Sequence, residues 1–261
     1  MAERLEGKVA VVTGANRGIG RGTALCLAEE GADVLVNFRT HAQEAAEVVK
    51  QIEVLGRRAL AWQADVAERD QVKAMIHGAM KHFGRIDIAV ANAAWSARRP
   101  VVEAHWEDVQ RTIAVTQFGV FHTCQFAAQR MVERGQGGKI VIISSIHAEF
   151  PFPTSGAYNM AKAGVNHLAR TMAAELAQHR INVNVINPGW IDTPGERVYA
   201  SEEELQRAGR RIPWKRMGTE RDIGRSVVFL ASDDADYITG STLRVDGGFM
   251  LGLTLPKVET E

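Results

Sequence analysis

The stretch KVAVVTGANRGIGRGTALCLAEEG, residues 8–31, determines the fold that we predict for this chain. A β-branched run leads directly into glycines at positions 14, 18 and 20, and a helical pattern follows until it ends at Gly31. Glycines in such a turn let the backbone approach a pyrophosphate, and the helix N-terminus offers it free N–H groups. The alternative is an ordinary strand–helix turn, but the strand before and the helix after favour a dinucleotide site at Gly14, Gly18 and Gly20.

The rest of the chain repeats this strand–helix alternation. A helical pattern over 70–84 again ends at a glycine. This alternation predicts an α/β fold: a single-domain, Rossmann-type doubly wound parallel sheet of about seven strands with helices on both faces, spanning residues 1–261. The segment 188–217 interrupts the rhythm, and we predict that it forms a substrate lid. The predicted strands after the first are 33–38, 58–63, 86–91, 139–144, 181–186 and 241–247.

The composition excludes several classes of function. Lysine and arginine (31) balance aspartate and glutamate (31), so charge gives no reason to expect nucleic acid or a membrane surface as a partner. Hydrophobic residues make up 46% of the 261 residues, enough for a full core. Cys26 and Cys124, the only cysteines, form no CxxC or metal-ligand cluster, so we expect buried thiols and no metal. The apolar run near the N-terminus is too short for a signal peptide, and we expect a cytoplasmic protein.

The stretch SSIHAEFPFPTSGAYNMAK, residues 144–162, contains the candidate catalytic groups. The helical pattern that begins at Ser155 places Tyr158 and Lys162 on one face, with Cβ atoms about 5–6 Å apart. An ammonium beside a phenol favours the phenolate, so we expect Lys162 to lower the pKa of Tyr158. Ser145 closes a predicted strand and should lie at the carboxyl edge of the sheet, where open α/β folds bind ligands.

Five motifs together resemble the short-chain dehydrogenase/reductase family across essentially the whole chain. They are TGxxxGIG at 13–20, Asp65-Val66, Ser145, Tyr158-xxx-Lys162 and Pro188-Gly189. The resemblance implies that NAD(P)(H) carries a hydride, that Tyr158 moves the hydroxyl proton and that Ser145 orients the substrate oxygen, with Lys162 on the nicotinamide ribose. It places these further residues at the cofactor: Asn16, Arg17, Ile19, Asp65, Val66, Asn92, Ala93, Pro188, Gly189, Ile191 and Thr193.

Two positions depart from the family pattern. ANAA at 91–94 keeps only Asn92 of the family's two asparagines. Thr116 stands where the resemblance implies a fourth catalytic residue, an asparagine that holds a water on the proton relay. A threonine hydroxyl can still bind water, so we predict a working enzyme with Thr116 in that role. The alternative is a cofactor-binding sensor that has lost turnover.

The substrate prediction rests on residues 144–153 and 191–214, which look most like bacterial glucose 1-dehydrogenases. His147 could bind a hydroxyl of a sugar or polyol, together with Ser145 and Tyr158, or could simply pack at the strand end. Related sequences include 3-oxoacyl-carrier-protein reductases, whose acidic partner could use the basic residues of 209–216. The resemblance also implies a homotetramer.

The end of the second strand predicts the choice of cofactor. NAD sites carry an acidic residue there for the ribose hydroxyls, whereas this chain has Asn37, followed by Arg39. Arg17 in the glycine loop can point at the same ribose. A 2′-phosphate would be repelled by an acid and bound by an arginine. We therefore predict that NADP(H) is favoured and that NAD(H) is also used.

Overall fold

The structure is a computed structural model that describes residues 3–198 and 201–252. Its centre is one sheet of seven parallel strands in the order β3-β2-β1-β4-β5-β6-β7, with every neighbouring pair in parallel register. The single-domain doubly wound sheet predicted from the sequence is confirmed. The strands are β1 (Val9–Val12), β2 (Asp33–Phe38), β3 (Ala59–Gln63), β4 (Ile88–Ala91), β5 (Gly138–Ile143), β6 (Ile181–Pro188) and β7 (Thr242–Val245).

Helices cover both faces of the sheet, and each face has its own apolar cluster. One cluster joins Val11 and Ile142 to Met75 and Cys124, and the other joins Val12 to Leu27. Because both faces are buried, the strands are apolar along most of their length rather than alternating. The helices are α1 (Gly18–Glu29), α2 (Ala42–Val54), α3 (Arg69–Phe83), α4 (Trp106–Ile113), α5 (Gly119–Arg134), α6 (Gly156–Leu176), α7 (Glu202–Arg211), α8 (Glu220–Ala231) and α9 (Phe249–Gly252).

The direction in which successive strands are added to the sheet reverses at β1: β2 and β3 lie on one side of it, and β4 to β7 lie on the other. At such a switch point the loops that follow the strands separate and leave a crevice at the carboxyl edge of the sheet, which is where this fold class binds nucleotides. The glycine loop after β1 lies at this point, as do the segments that follow β4 and β5. The topology alone therefore brings the predicted site residues to one edge.

One feature of the fold was not predicted. Residues Ala114–Phe118 form a π-helical turn between α4 and α5, and this turn carries Thr116. The segment 188–217 contains a 3-10 turn (Glu196–Val198) and α7, which starts with a full capping box between Ser201 and Glu204. Within the described ranges no helix is both long and apolar enough to span a bilayer. Tyr199 and Ala200, inside the predicted lid, lie outside the described residues.

Candidate active site

Ser145 is the second residue after β5 and caps a short 3-10 turn, Ile146–Ala148. Its Oγ accepts a hydrogen bond from the backbone N–H of His147 at 3.2 Å. The side chain also hydrogen-bonds to Tyr158, which is two residues into α6. Ser145 and Tyr158 therefore meet at the carboxyl edge of the sheet, as the sequence predicted.

The pKa of Tyr158 departs from our expectation. Burial raises the pKa of the phenol to about 12, and the hydrogen bond from Ser145 opposes this only in part. The expected lowering by a charged Lys162 is wrong for this structure, because desolvation of the phenolate outweighs the favourable interactions around it. Tyr158 therefore carries its proton throughout the neutral range, which suits a group that donates a proton to a carbonyl oxygen.

Lys162 is the largest fully buried side chain, with 1% of its surface exposed. Its Nζ donates to the backbone oxygen of Ile143 at 2.8 Å and lies 5.4 Å from the ring centroid of Tyr158. Burial lowers the pKa of the amine to about 7, so the group changes charge close to neutral pH. A buried lysine with one carbonyl partner is costly to stability, which points to a functional reason for keeping it.

His147 is fixed between aromatic rings beside Tyr158. It stacks on Phe152 with ring centroids 4.1 Å apart and meets Tyr158 edge-on at 5.2 Å. Its Nδ1 lies 2.7 Å from Oδ1 of Asn159, whose amide nitrogen in turn donates to the carbonyl of Phe152 at 3.0 Å. Because that bond fixes the amide orientation, the histidine must carry its proton on Nδ1. Burial lowers its pKa, so at neutral pH Nε2 is a hydrogen-bond acceptor.

Thr116 is fully buried and both of its hydrogen bonds go to Trp95. Its Oγ1 donates to the carbonyl of Trp95 at 2.7 Å and accepts from the N–H of the same residue at 2.9 Å. The hydroxyl thus fastens the loop after β4 to the π-helical turn. One lone pair of the hydroxyl oxygen remains for a relay water, and the catalytic role of Thr116 stays a prediction. The structure shows that Thr116 joins these two segments.

The glycine loop has the geometry that a pyrophosphate requires. Gly14 and Gly18 have positive φ angles of 62° and 56°, which favour glycine. A Cβ at Gly20 would lie 2.1 Å from the carbonyl oxygen of Gly14, so only glycine allows this tight turn. Gly18 and Ile19 open α1 and present its N-terminal N–H groups. The residues therefore fit a nicotinamide dinucleotide, which would supply the hydride when bound.

The segments that follow β4 and β6 close around this loop. The amide nitrogen of Asn92 donates to the carbonyls of Thr13 (2.8 Å) and Gly14 (3.2 Å), and the backbone N–H of Ala93 donates to Oγ1 of Thr13. A Cβ at Gly18 would lie 3.6 Å from the side chain of Thr193. The structure thus places Asn92, Ala93 and Thr193 at the predicted cofactor crevice.

Pro188, Gly189 and Ile191 form the start of that second segment. Pro188 ends β6, and the N–H of Gly189 donates to the carbonyl of Val245 at 3.0 Å. A Cβ at Gly189 would meet the side chain of Asp246 at 2.6 Å, so the chain passes close to the segment after β7. Ile191 is buried and pairs with Gly218. These contacts hold the first residues of the 188–217 segment against the sheet.

Asn37 does not have the ribose-binding role that we expected from the sequence. Its side chain is 1% exposed and makes only backbone contacts. Its Oδ1 accepts from the N–H of Gly14 at 3.1 Å, and its Nδ2 donates to the carbonyls of Trp62 (3.2 Å) and Ala64 (3.1 Å). The expectation is corrected because the amide is fully used in joining the glycine loop to β3.

The two arginines predicted to read a 2′-phosphate both face carboxylates. Arg17 donates from Nε to Glu44 at 2.7 Å, and its Nη2 contacts the same carboxylate. Arg39 lies farther, 3.9 Å, from Asp65. Asp65 accepts instead from Arg111 at 2.6 Å and from the N–H of Ala67 at 3.0 Å. Arg39 therefore has the more available guanidinium.

Val66, predicted to lie at the cofactor, follows Asp65 in the turn after β3. Its side chain is buried, and a Cβ at Gly119 would lie 2.6 Å from it, so α5 approaches closely. Its carbonyl lies 3.1 Å from Nδ1 of His122. Together with Asp65, it forms the turn between β3 and α3 at the edge of the crevice.

Sequence reasoning missed three charged residues. Glu44 stands in the first turn of α2, against Arg17. Glu196, in the 188–217 segment, accepts from Arg98 at 3.1 Å and from the indole of Trp190 at 3.2 Å. Glu196 raises and Arg98 lowers the pKa of Tyr158, so both lie near the catalytic phenol. Residues 98 positions apart leave no local pattern that could have predicted this pair.

Among the described residues no cluster of His, Cys, Asp and Glu could hold a metal.

Comparisons with known proteins identify the class. A family model described as enoyl-(acyl carrier protein) reductase matches residues 14–250, and the family comprises oxidoreductases that act on CH–OH groups. The chain is 39% identical to 3beta-hydroxysteroid dehydrogenase 1 of Eggerthella lenta, over 96% of this chain and 97% of the relative. It is 37% identical to glucose 1-dehydrogenase of Gluconobacter oxydans, over 95% and 94%.

Solved structures agree with this assignment. A 7 alpha-hydroxysteroid dehydrogenase complexed with NADH and 7-oxo glycochenodeoxycholic acid has a TM-score of 0.89 at 34% identity, covering 95% of this chain and 96% of that one. The chain therefore belongs to the short-chain dehydrogenase/reductase family. The predicted family and its dehydrogenase chemistry are confirmed, and the sensor alternative loses its basis. Relatives in this family bind nicotinamide cofactors.

Proposed function

We propose that this protein oxidises a secondary hydroxyl of a sugar or polyol, or reduces the matching carbonyl, as a glucose 1-dehydrogenase does. The observation that carries the proposal is His147, whose free Nε2 acceptor is held between Phe152 and Tyr158. A neutral acceptor beside the proton-donating phenol suits a substrate that has a second hydroxyl next to the reacting carbon. A substrate that is apolar around its single hydroxyl would cover this half-buried acceptor without giving it a partner, at a cost.

The chain's own residues divide the chemistry among them. Ser145 hydrogen-bonds to Tyr158 and can hold the substrate oxygen at the same place. Tyr158, protonated because burial raises its pKa, donates its proton to that oxygen in reduction and takes one back in oxidation. Lys162 lies one helical turn farther and, with a pKa lowered to about 7, can take up or release a proton near neutral pH. Bound NAD(P)(H) supplies or accepts the hydride.

The segment 188–217 is proposed to cover the substrate. The contact of Glu196 with Arg98 supports this, since it ties the segment to the loop after β4 beside Tyr158. On the far side, Phe249 of α9 stacks near Phe152, with ring centroids 6.4 Å apart. Two separate parts of the chain thus enclose the region around His147.

The cofactor proposed is NADP(H), with NAD(H) also accepted. Asn37 leaves no carboxylate at the end of β2 to repel a 2′-phosphate, and Arg39 is only loosely paired at 3.9 Å from Asp65. A charge-assisted hydrogen bond from an arginine is worth about 1.5–3 kcal/mol, or roughly ten- to hundredfold in affinity. The NADH-bound relative shows nothing about this choice, which depends on residues at the ribose.

The acyl-carrier-protein alternative receives less support. It requires a basic surface at 209–216, but Arg216 is paired with Asp222 at 2.7 Å. This ion pair removes one of the charges that an acidic partner would need.

A homotetramer is proposed from the apolar surface of α4, α5, α6 and the turn between α4 and α5. Large apolar side chains are exposed there, which is unusual for a monomer. Sedimentation of the purified protein should show four chains, and a monomer at micromolar concentration would overturn this part. The exposed residues of this surface are Trp106, Phe118, Phe121 and Met160.

Cytoplasmic localisation is proposed from the two buried, unpaired cysteines.

The experiment compares His147→Ala with wild type on two substrates. One is a hexose, and the other is a four-carbon secondary alcohol with no further hydroxyl. Loss of one buried hydrogen bond of about 0.5–1.5 kcal/mol should raise KM for the hexose roughly two- to tenfold and leave KM for the simple alcohol and the cofactor unchanged. Wild type that oxidises no sugar or polyol with either cofactor would overturn the proposal.

A further inference from the structure

The guanidinium of Arg17 is already engaged by a carboxylate. Arg17 follows Asn16 in the glycine loop, and Glu44 reaches it from the first turn of α2. Nε of Arg17 donates to one carboxylate oxygen at 2.7 Å, and Nη2 contacts the other. Asn16 donates from Nδ2 to Glu44 at 3.1 Å as well. Both oxygens of Glu44 are therefore used, and the hydrogen bond from Arg17 keeps the pKa of this carboxyl low.

Arg39, on the other side of the same region, is in a different situation. Its nearest carboxylate is Asp65, and the oxygen that faces it at 3.9 Å also accepts from Arg111 at 2.6 Å. The charge of Asp65 is thus largely taken by Arg111. Of the two arginines predicted to bind the 2′-phosphate, Arg17 is held in a two-point ion pair and Arg39 is held only loosely.

A two-point pair and a phosphate compete for the same donors. Glu44 occupies the Nε–Nη2 edge of Arg17, so this edge cannot bind a phosphate at the same time, and only the remaining Nη1 and Nη2 hydrogens are available to one. The carboxylate of Glu44 would also repel a nearby phosphate. The cavity beside this pair, about 540 Å³, is lined by Arg17, Gly18, Arg21, Glu44 and Glu47.

We propose that Glu44 restrains the preference for NADP(H) by occupying the N–H groups of Arg17 that a 2′-phosphate would otherwise use. Arg39 then makes the main contact to the phosphate, and NAD(H) remains an efficient cofactor. This inference rests on the proposed use of a nicotinamide cofactor. It identifies Glu44, a residue outside every motif of the sequence, as a determinant of cofactor choice.

The test measures binding of two probes to the whole protein by calorimetry, namely adenosine 2′,5′-bisphosphate and AMP. Glu44→Gln keeps the size of the side chain and removes its charge. Because exposed ion pairs are weak, we expect Glu44→Gln to raise the ratio of bisphosphate affinity to AMP affinity only about three- to tenfold. Glu53→Gln is the matched control: it removes the same charge at an exposed position near the C-terminal end of α2, outside the lining of this cavity. This control should leave the ratio unchanged.

A second pair of variants tests whether the effect passes through Arg17. In an Arg17→Ala background, Glu44→Gln should raise the ratio less than it does with Arg17 present, because only the direct repulsion between carboxylate and phosphate then remains. Equal ratios in Glu44→Gln and Glu53→Gln would overturn the inference, and so would an equal rise with and without Arg17. A loss of AMP affinity in Glu44→Gln would also overturn it, because the carboxylate would then bind the ribose. Wild type that binds neither probe would overturn the proposed use of the cofactor itself, and the inference with it.

Discussion

Replacing Lys162 with methionine should stabilise the cofactor-free protein while it removes activity. The side chain is 1% exposed, and burial lowers the pKa of its amine from 10.5 to about 7. At 1.36 kcal/mol for each tenfold change, this difference corresponds to roughly 5 kcal/mol of lost stability at acidic pH. Methionine fills a similar volume without a charge. It leaves the carbonyl of Ile143 without its partner, which costs about 1–3 kcal/mol. At pH 6 the variant should therefore gain roughly 2–4 kcal/mol.

The gain should depend on pH in a definite direction. The folded-state pKa of Lys162 lies below its unfolded value, so the unfolded chain holds more protons between pH 7 and 10.5. Stability of the wild type therefore rises with pH across this window. From pH 6 to pH 9 the penalty of the buried amine shrinks by about 3 kcal/mol, and the advantage of the variant shrinks equally. Below pH 7 the advantage is constant.

Urea unfolding at pH 6 and pH 9, at one protein concentration, measures this difference. Contributions of all other titrating groups cancel when the variant is compared with wild type at each pH. Lys73→Met, at an exposed position of α3, is the control and should show the same small effect at both values. An advantage of Lys162→Met that is equal at pH 6 and pH 9 would refute the reasoning, because no burial penalty would then be acting on the amine.

Three further substitutions follow from the site. Tyr158→Phe should lower turnover by roughly 10²–10⁴-fold with cofactor affinity unchanged, and a variant that keeps a tenth of wild-type turnover contradicts the proton-transfer role. Thr116→Asn should change turnover less than tenfold but lower the melting temperature, since it breaks the two hydrogen bonds to Trp95. An inactive wild type that becomes active on this substitution would contradict the prediction. Gly20→Ala places a Cβ 2.6 Å from Nδ2 of Asn92, so thermal melts should show about 1–3 kcal/mol of destabilisation. Addition of NADP(H) should raise the melting temperature of this variant less than that of wild type. Unchanged melts would count against the tight turn.

The sheet and most of the site were accessible from sequence because they depend on local patterns. Strand–helix alternation and the glycine turn predicted the topology, and the spacing of Tyr158 and Lys162 placed both on one helix face. The errors concern partners that are remote in sequence. Thr116 bonds to the backbone of Trp95, which only the π-helical turn brings near. The sign of the pKa shift at Tyr158 depends on how completely surrounding segments bury it, which no spacing reveals.

The burial of Asn37 limits the routes by which mutation could change cofactor use in this lineage. An aspartate at this position is the simplest single-residue step toward NAD specificity. Here one carboxylate oxygen would still accept from the N–H of Gly14, but the other would face the carbonyls of Trp62 and Ala64, which now accept from the amide. A charge would then be buried against two acceptors. Such an intermediate would lose the bonds to β3 and its end before it gained a ribose contact. Divergence in cofactor choice should therefore proceed through the exposed residues Arg39 and Glu44, where a substitution leaves the sheet intact.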